Sequence, residues 1–524
     1  MAQVKNILFI MADQLRADYL SCYGHKRLST PALDALARRG VRFANAFINA
    51  TVCGPSRMSY YTGRYMSSHG STWNTVPLRA GEPTLGNHLI EAGVQPILVG
   101  KTHMAADYAG MARLGMRWDS MEGVLTAQCG FIPFERDDGL HPDSSADPDL
   151  DYNIYLRKQG YDEPNPWHSV ANAAAGRKGK ILSGWYMRNA RKPARVAEEH
   201  SETAYMTNRA MDFIRQSSDM PWCLHLSYIK PHWPYIAPAP YHAMFGPEDV
   251  KPANRAKSEL KNPHPVYAAY MRHVESRNFS KDKVRRTVIP TYMGLVRQID
   301  DHLNRLFSFL DESGLMDRTM IVFCSDHGDY LGDHWLGEKE LFHDEIVRTP
   351  LIVYDPDPAA DAARGTVEDS LVEAIDLAPT FLECYGAGGL DHVLEGRSLL
   401  PYLRGGETSA REFVVSELDY VYRPARDYLG VAPDRARAWM LRTRRWKYIH
   451  YEGFRPQLFD LENDPRERAD LGDDPARAKM RREMAGRLFE WSRNRRMRIT
   501  VSNPSGPRPA SRKSSSGGII IGEW

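Results

Sequence analysis

The chain has 524 residues, enough for one large domain and a smaller one rather than a single small core. A formal net charge of +2, with 26% charged residues, leaves no bulk field that selects nucleic acid or an acidic membrane. Six cysteines (Cys22, Cys53, Cys129, Cys223, Cys324, Cys384) show no disulfide framework, no CxxC pair and no zinc-finger spacing, which suits a reducing compartment.

The first apolar run, residues 7–11, is too short for a secretory signal, and no segment approaches a transmembrane span, so the sequence predicts a soluble, cytoplasmic protein. Residues 6–11 read as a buried strand that delivers Asp13-Gln14 at its carboxyl end, where open α/β sheets bind ligands. A helix follows over 31–39, capped by Thr30-Pro31 and closed by Gly40. The next strand, 41–47, leads to Thr51-Val52-Cys53-Gly54-Pro55-Ser56-Arg57. Pro55 suits a first helical turn, and 56–61 read as helix up to Gly63. Cys53 is thereby predicted at a helix N-terminus, where free N–H groups favour an anion, with Arg57 one turn on pointing back to the same spot. A helix over 83–92 precedes a buried strand, 95–99, whose end releases Gly100-Lys101-Thr102-His103.

Residues 104–192 lack periodicity and read as long loops and insertions over the active face. A helix over 202–216 and a strand over 222–228 follow, the strand ending in Lys230-Pro231-His232-Trp233-Pro234. Residues 241–283 are polar and read as peripheral. An amphipathic helix over 287–313 precedes the strand 320–324 and its trailing string Ser325-Asp326-His327-Gly328-Asp329. A strand at 350–354 and a helix at 372–385 close this part. The pattern predicts an α/β fold, with a large mixed, mostly parallel sheet sandwiched by helices. Strands near 413–416, 439–443, 446–451 and 457–460 and a basic helix over 475–493 add a small C-terminal antiparallel sheet with one helix. The expected division is a catalytic region 1–386, a subdomain 387–495 and a tail 496–524 whose first part is flexible. The apolar end of that tail reads either as an anchor on a partner subunit or as a loose terminus.

Cys53-Gly54-Pro55-Ser56-Arg57 followed by Thr62-Gly63-Arg64 resembles the core motif of type I sulfatases, formylglycine-dependent members of the alkaline phosphatase superfamily. The resemblance implies that a maturation enzyme oxidises Cys53 to formylglycine, and that the hydrated aldehyde is the nucleophile. Asp13-Gln14 and Asp326-His327 leave two buried strands, and where the backbone turns both pairs reach one ion. Asp13, Gln14 and Asp326 offer oxygens, His327 a nitrogen, and the hydroxyl of modified Cys53 completes the set. Mostly oxygen ligands predict one hard divalent ion; the imidazole favours Mn²⁺, with Ca²⁺ second.

Matching strings in type I sulfatases carry two lysines and two histidines around the sulfate; here these are Lys101, His103, His232 and Lys339. A sulfate ester is anionic and needs cationic donors, and its leaving alkoxide or phenolate needs a proton, which His232 or Lys339 can supply. His103 fits as the base that expels sulfate and restores the aldehyde. The likeness runs nearly end to end and is nearest to phosphonate monoester hydrolases, through the Asp-Gln and Asp-His pairs, residues 238–245 and the string Leu331-Gly332-Asp333-His334. Asn74 matches a substrate-side position of that subgroup, whereas Lys101 and His103 are sulfatase-like where the subgroup carries uncharged residues. The implied activity is an arylsulfatase of small anionic esters with promiscuous phosphonate monoester and phosphodiester hydrolysis, the alternative being that these are its main activity. The relatives' dimers and tetramers imply a homo-oligomer.

Overall fold

A computed structural model describes residues 4–500 apart from 146, 148–149, 407–409 and 497–498; the expectations for the tail beyond residue 500 lie outside the described residues. Its strands are β1 (Asn6–Asp13), β2 (Val41–Phe47), β3 (Gln95–Gly100), β4 (Ile132–Arg136), β5 (Ala173–Ala175), β6 (Ile181–Ser183), β7 (Trp222–Pro231), β8 (Thr319–Ser325), β9 (Leu351–Tyr354), β10 (Val367–Glu373), β11 (Val414–Asp419), β12 (Arg437–Arg442), β13 (Trp446–Tyr451) and β14 (Gln457–Asp460). The main sheet has eight strands in the order β10-β2-β9-β8-β1-β7-β3-β4. All pair in parallel except β9, which runs antiparallel to both β2 and β8. This is the predicted mixed, mostly parallel sheet.

The three central strands β8, β1 and β7 are buried along their whole lengths, as continuous apolar runs covered on both faces require. Their pleat divides the core. Ile7, Phe9 and Met11 pack into one cluster with the helix Cys53–Thr62, while Leu8, Ile10 and Ala12 pack into the other with the helices Glu202–Gln216 and Asp282–Glu312. The register pairs Ala12 with Ser325, so Asp13 and Asp326 leave neighbouring strands at the same level.

The order β11-β12-β13-β14 forms the smaller sheet, antiparallel throughout. One face joins the main core through Val414, Leu418, Met440 and Ile449. The other, with Val415, Leu441, Tyr448 and Leu458, receives Met484, Leu488 and Trp491 from the helix Ala478–Arg493.

Four departures from the sequence reading have local causes. β4 extends the main sheet inside the stretch read as loops; it is an edge strand carrying Pro133, Glu135 and Arg136, which hide the apolar signal. β10 is the opposite edge, where Glu368, Asp369 and Ser370 leave one half solvated; the helix after it is only Leu377–Cys384. Residues 241–283 are not all peripheral, since Val266, Tyr267 and Tyr270 of the helix Pro265–Met271 are buried. The long helix begins at Asp282 and carries Pro290 within it.

Two core histidines give the fold a pH limit. His225 of β7 donates Nδ1–H to the carbonyl of Phe9 at 3.1 Å, accepts from the Tyr61 hydroxyl at 2.8 Å and stacks on Phe9. Burial holds it and His69 at about 3, against 6.5 for an exposed ring. The unfolded chain therefore takes up protons that the native chain refuses as pH falls below 6.5. Stability is expected to be full above that value and to decline from there toward pH 3, read as a falling urea midpoint that His225→Gln makes shallower with pH.

Candidate active site and metal centre

The site is built where three parallel strands end. β1 delivers Asp13 and then Gln14, whose positive φ of 64° turns the chain sharply out of the sheet. β8 delivers Asp326 and His327. β3 ends at Gly100 (φ 107°), where a Cβ would lie 2.1 Å from the Ser227 carbonyl oxygen, so only glycine lets β3 and β7 approach this closely before Lys101.

Cys53 opens its helix rather than preceding it, and all ten residues from Cys53 to Thr62 are buried. The amide of Gly54 donates to Asn74 Oδ1 at 2.8 Å, so Asn74 satisfies a first-turn N–H. Asp13, Cys53, Asp326 and His327 each bring a ligand atom within 4.8 Å of the others, and all four are buried. Gln14 joins them by an indirect route. Its Nε2 donates to Asp329 Oδ2 at 2.6 Å, which leaves Oε1 toward Lys339 Nζ at 3.3 Å. The Tyr235 hydroxyl donates to the same Asp329 oxygen. His327 donates Nδ1–H to the Gly328 carbonyl at 2.8 Å, which orients the ring and leaves Nε2 3.0 Å from Cys53 Sγ.

Arg57 does not point into an anion site. It lies wholly buried behind the carboxylates, with Nε 2.9 Å from Asp326 Oδ2 and Nη2 3.3 Å from Asp13 Oδ2. Nη1 donates to the Lys101 carbonyl at 2.8 Å and to Ser227 Oγ at 2.7 Å. Helix geometry explains the difference: a side chain one turn inside a buried helix that faces two carboxylates is drawn to them by charge.

Four cationic or titratable side chains surround Cys53. Lys339 Nζ lies 3.1 Å from Sγ and 3.2 Å from His232 Nε2. Lys101 Nζ lies 2.6 Å from Asp13 Oδ2. His103 lies beside Cys53 and influences its charge, its Nδ1 is buried without a partner, and Asp138 accepts from its backbone amide at 2.9 Å. His103 also takes a positive φ, 54°, so residues just past two different strand ends adopt the costly left-handed conformation to reach one point.

The charges reinforce one another. Burial opposes a thiolate at position 53, but Lys339, His327 and Lys101 outweigh it and hold the thiol well below its ordinary range. Burial works against a charged His327, yet Asp326 and the Cys53 sulfur push it up to about 9. Burial and Lys101 hold His103 down, as a base. The pocket thus stabilises negative charge at position 53 and keeps a neutral imidazole beside it. Every predicted site residue is in this assembly, with Asn74 and Arg57 serving the helix and the carboxylates. Sequence reasoning missed Asp329, Tyr235, Asp138 and Ser227, which orient Gln14, His103 and Arg57; Asp329 was visible as the last residue of the Ser325–Asp329 string.

Comparison with known proteins agrees with this geometry. The "Sulfatase" family model matches residues 5–387, and a model for the C-terminal part of N-sulphoglucosamine sulphohydrolase matches 332–494. The chain belongs to the sulfatase family and is a hydrolase acting on sulfuric esters. It is 31% identical to the multifunctional alkaline phosphatase superfamily protein PehA of Trinickia caryophylli, over 96% of this chain and 98% of that one. It is 26% identical to an arylsulfatase of Clostridium perfringens, over 89% of this chain and 90% of that one. The crystal structure of the phosphonate monoester hydrolase of Agrobacterium radiobacter superposes with a TM-score of 0.81 at 27% identity, covering 93% of this chain and 95% of that one. Among the described residues, no helix is long and apolar enough to cross a membrane.

Proposed function

We propose that this protein is an arylsulfatase that uses formylglycine made from Cys53 and one divalent ion, with side activity on phosphonate monoesters and phosphodiesters. The observation that carries this reading is the pair Lys101 and His103: a lysine 2.6 Å from the Asp13 carboxylate and a histidine beside Cys53 add charge and a base beside the nucleophile's position. The donor set fits a hard ion. Asp13, Asp326, Gln14 Oε1, His327 Nε2 and the oxygen of modified residue 53 would hold it, Mn²⁺ fitting first and Ca²⁺ second. Formylglycine hydrate and the ion together supply an oxygen nucleophile at neutral pH and a countercharge for the ester.

The protein's own side chains do the rest. Lys101 and Lys339 bind the ester's anionic oxygens. Lys339 and His232, whose nitrogens lie 3.2 Å apart, face the leaving oxygen and give it a proton. His103 takes the proton of the second hydroxyl at position 53. A cytosolic maturation enzyme, residence in the cytoplasm, a dimer or tetramer and a division of the chain near residue 386 belong to the same proposal.

A second reading, phosphonate monoester hydrolysis as the main activity, is favoured by the Asp-Gln and Asp-His pairs and by the 0.81 TM-score to that hydrolase. Parallel kinetics of fully matured enzyme on 4-nitrophenyl sulfate and 4-nitrophenyl phenylphosphonate separate the two. A higher kcat/KM for the sulfate is expected, and Lys101→Ala should reduce it more than it reduces the phosphonate value. A higher value for the phosphonate installs the second reading.

A further inference from the structure

Lys339 is held 3.1 Å from Cys53 Sγ by a short segment with a costly backbone. The residues on either side of it, Glu338 and Glu340, both take positive φ, 65° and 99°. That conformation is unfavourable for a residue with a Cβ and persists only where the surroundings fix it. Three parts of the chain do so. The Gly337 amide donates to Ser276 Oγ at 3.3 Å, and the Glu340 carbonyl accepts from Thr51 Oγ1. The Glu338 carboxylate accepts the Trp233 indole N–H and lies 3.4 Å from Lys339 Nζ. The Glu340 side chain needs a fourth. Its carboxylate is buried, and Arg423 Nε lies 2.8 Å from it.

Arg423 reaches this segment from the smaller sheet. It stands between β11 and the helix Pro424–Leu429, far along the chain from every residue given a role above. Its guanidinium pairs with Glu275 as well as Glu340 and donates to His273 Nδ1 at 3.1 Å. Glu275 belongs to the helix Val274–Phe279, and this helix packs directly on the segment: a Cβ on Gly337 would sit 2.7 Å from the Glu275 carbonyl oxygen. The guanidinium therefore ties Glu275 and Glu340 together across the residues that present Lys339. Without it, Glu340 is a buried carboxylate with no cation, a costly state. That carboxylate reaches water only if the segment lifts, and Lys339 lifts with it.

We infer that Arg423 is a positioning residue for protonation of the leaving group: by answering Glu340 it keeps residues 338–340 seated and Lys339 aimed at the leaving oxygen. The inference rests on the role proposed above for Lys339. The test compares phenyl sulfate with 4-nitrophenyl sulfate, because the more basic phenolate depends more on receiving a proton. In Arg423→Met, kcat/KM should fall at least about tenfold further for the phenyl ester than for the nitrophenyl ester, as loss of a general acid requires. Lys339→Met should show the same bias, and adding Arg423→Met to it should change the ratio of the two esters by less than about twofold, since both act through one group. Arg423→Met/Glu340→Gln, in which no carboxylate is left unanswered at position 340, should recover most of the parent ratio. A role in stability alone would lower the melting temperature and slow both esters alike. Equal losses for the two esters, a bias that adds in full to that of Lys339→Met, or no recovery in the double variant overturns the inference. If Arg423→Met does not fold, Arg423→Lys, which keeps the charge but not the fork, should show a smaller bias of the same sign. Crystal structures of parent and variant give a readout independent of turnover: Lys339 Nζ is expected out of hydrogen-bond reach of residue 53 in the variant, and its retention there overturns the inference. If matured enzyme hydrolyses no sulfate ester, the arylsulfatase reading fails by itself, and the same pair of structures still decides whether Arg423 holds Lys339 in place.

Discussion

Cys53→Ala is expected to lower kcat/KM for an aryl sulfate by at least about four orders of magnitude, the scale seen when the nucleophile of a covalent mechanism is removed. The same variant should keep its fold and still bind a divalent ion, more weakly, through the four remaining ligands. The reason is the division of labour in the site. Asp13 and Asp326 are held by Arg57 and Lys101, and His327 by the Gly328 carbonyl; none of these contacts passes through Sγ. Circular dichroism and metal titration of the variant, set beside its kinetics, separate loss of the nucleophile from loss of the site. Mass spectrometry of the parent's Cys53 peptide should find formylglycine in material from the native host. Retention of more than about one hundredth of parent activity by the alanine variant would remove Cys53 from the reaction.

The strands that carry the proposed metal ligands were legible because β1 and β8 are buried on both faces and so spell continuous apolar runs that end abruptly in acidic pairs. The proposed nucleophile was legible because a five-residue string around Cys53 combines a proline suited to a first turn with a serine and an arginine. Edge strands were not. β4 and β10 face solvent and carry charges, so their composition resembles that of the surrounding loops. Within the site, residue type predicted membership better than orientation. Arg57 and Asn74 are present, but spacing along a helix cannot say whether a guanidinium turns toward substrate or back onto two carboxylates. Gln14 illustrates the same limit. Its place after β1 was visible, whereas the Asp329–Tyr235 pair that fixes which way its amide faces comes from two distant segments.

The orientation of Arg57 has the second large consequence. Arg57→Ala is expected to cost about 3–5 kcal/mol of stability, because two fully buried carboxylates lose a shared cation. Lys101 still faces Asp13, but among the described residues no cationic side chain other than the His327 ring contacts Asp326 to replace what is lost. A divalent ion bound between Asp13 and Asp326 would supply the missing positive charge. The stability deficit should therefore be largest in chelator-treated protein and shrink when Mn²⁺ is added in excess, as a rise in melting temperature greater for the variant than for the parent. Metal affinity should itself fall by about 10- to 100-fold, the range for groups that orient metal ligands. Arg57→Lys keeps the charge but not the planar fork that reaches Asp13, Asp326, the Lys101 carbonyl and Ser227 together, so its deficit should be intermediate. An arginine whose work is to grip the ester would behave in the opposite way. Its removal would raise KM and leave both the metal-free melting temperature and the metal affinity where they were.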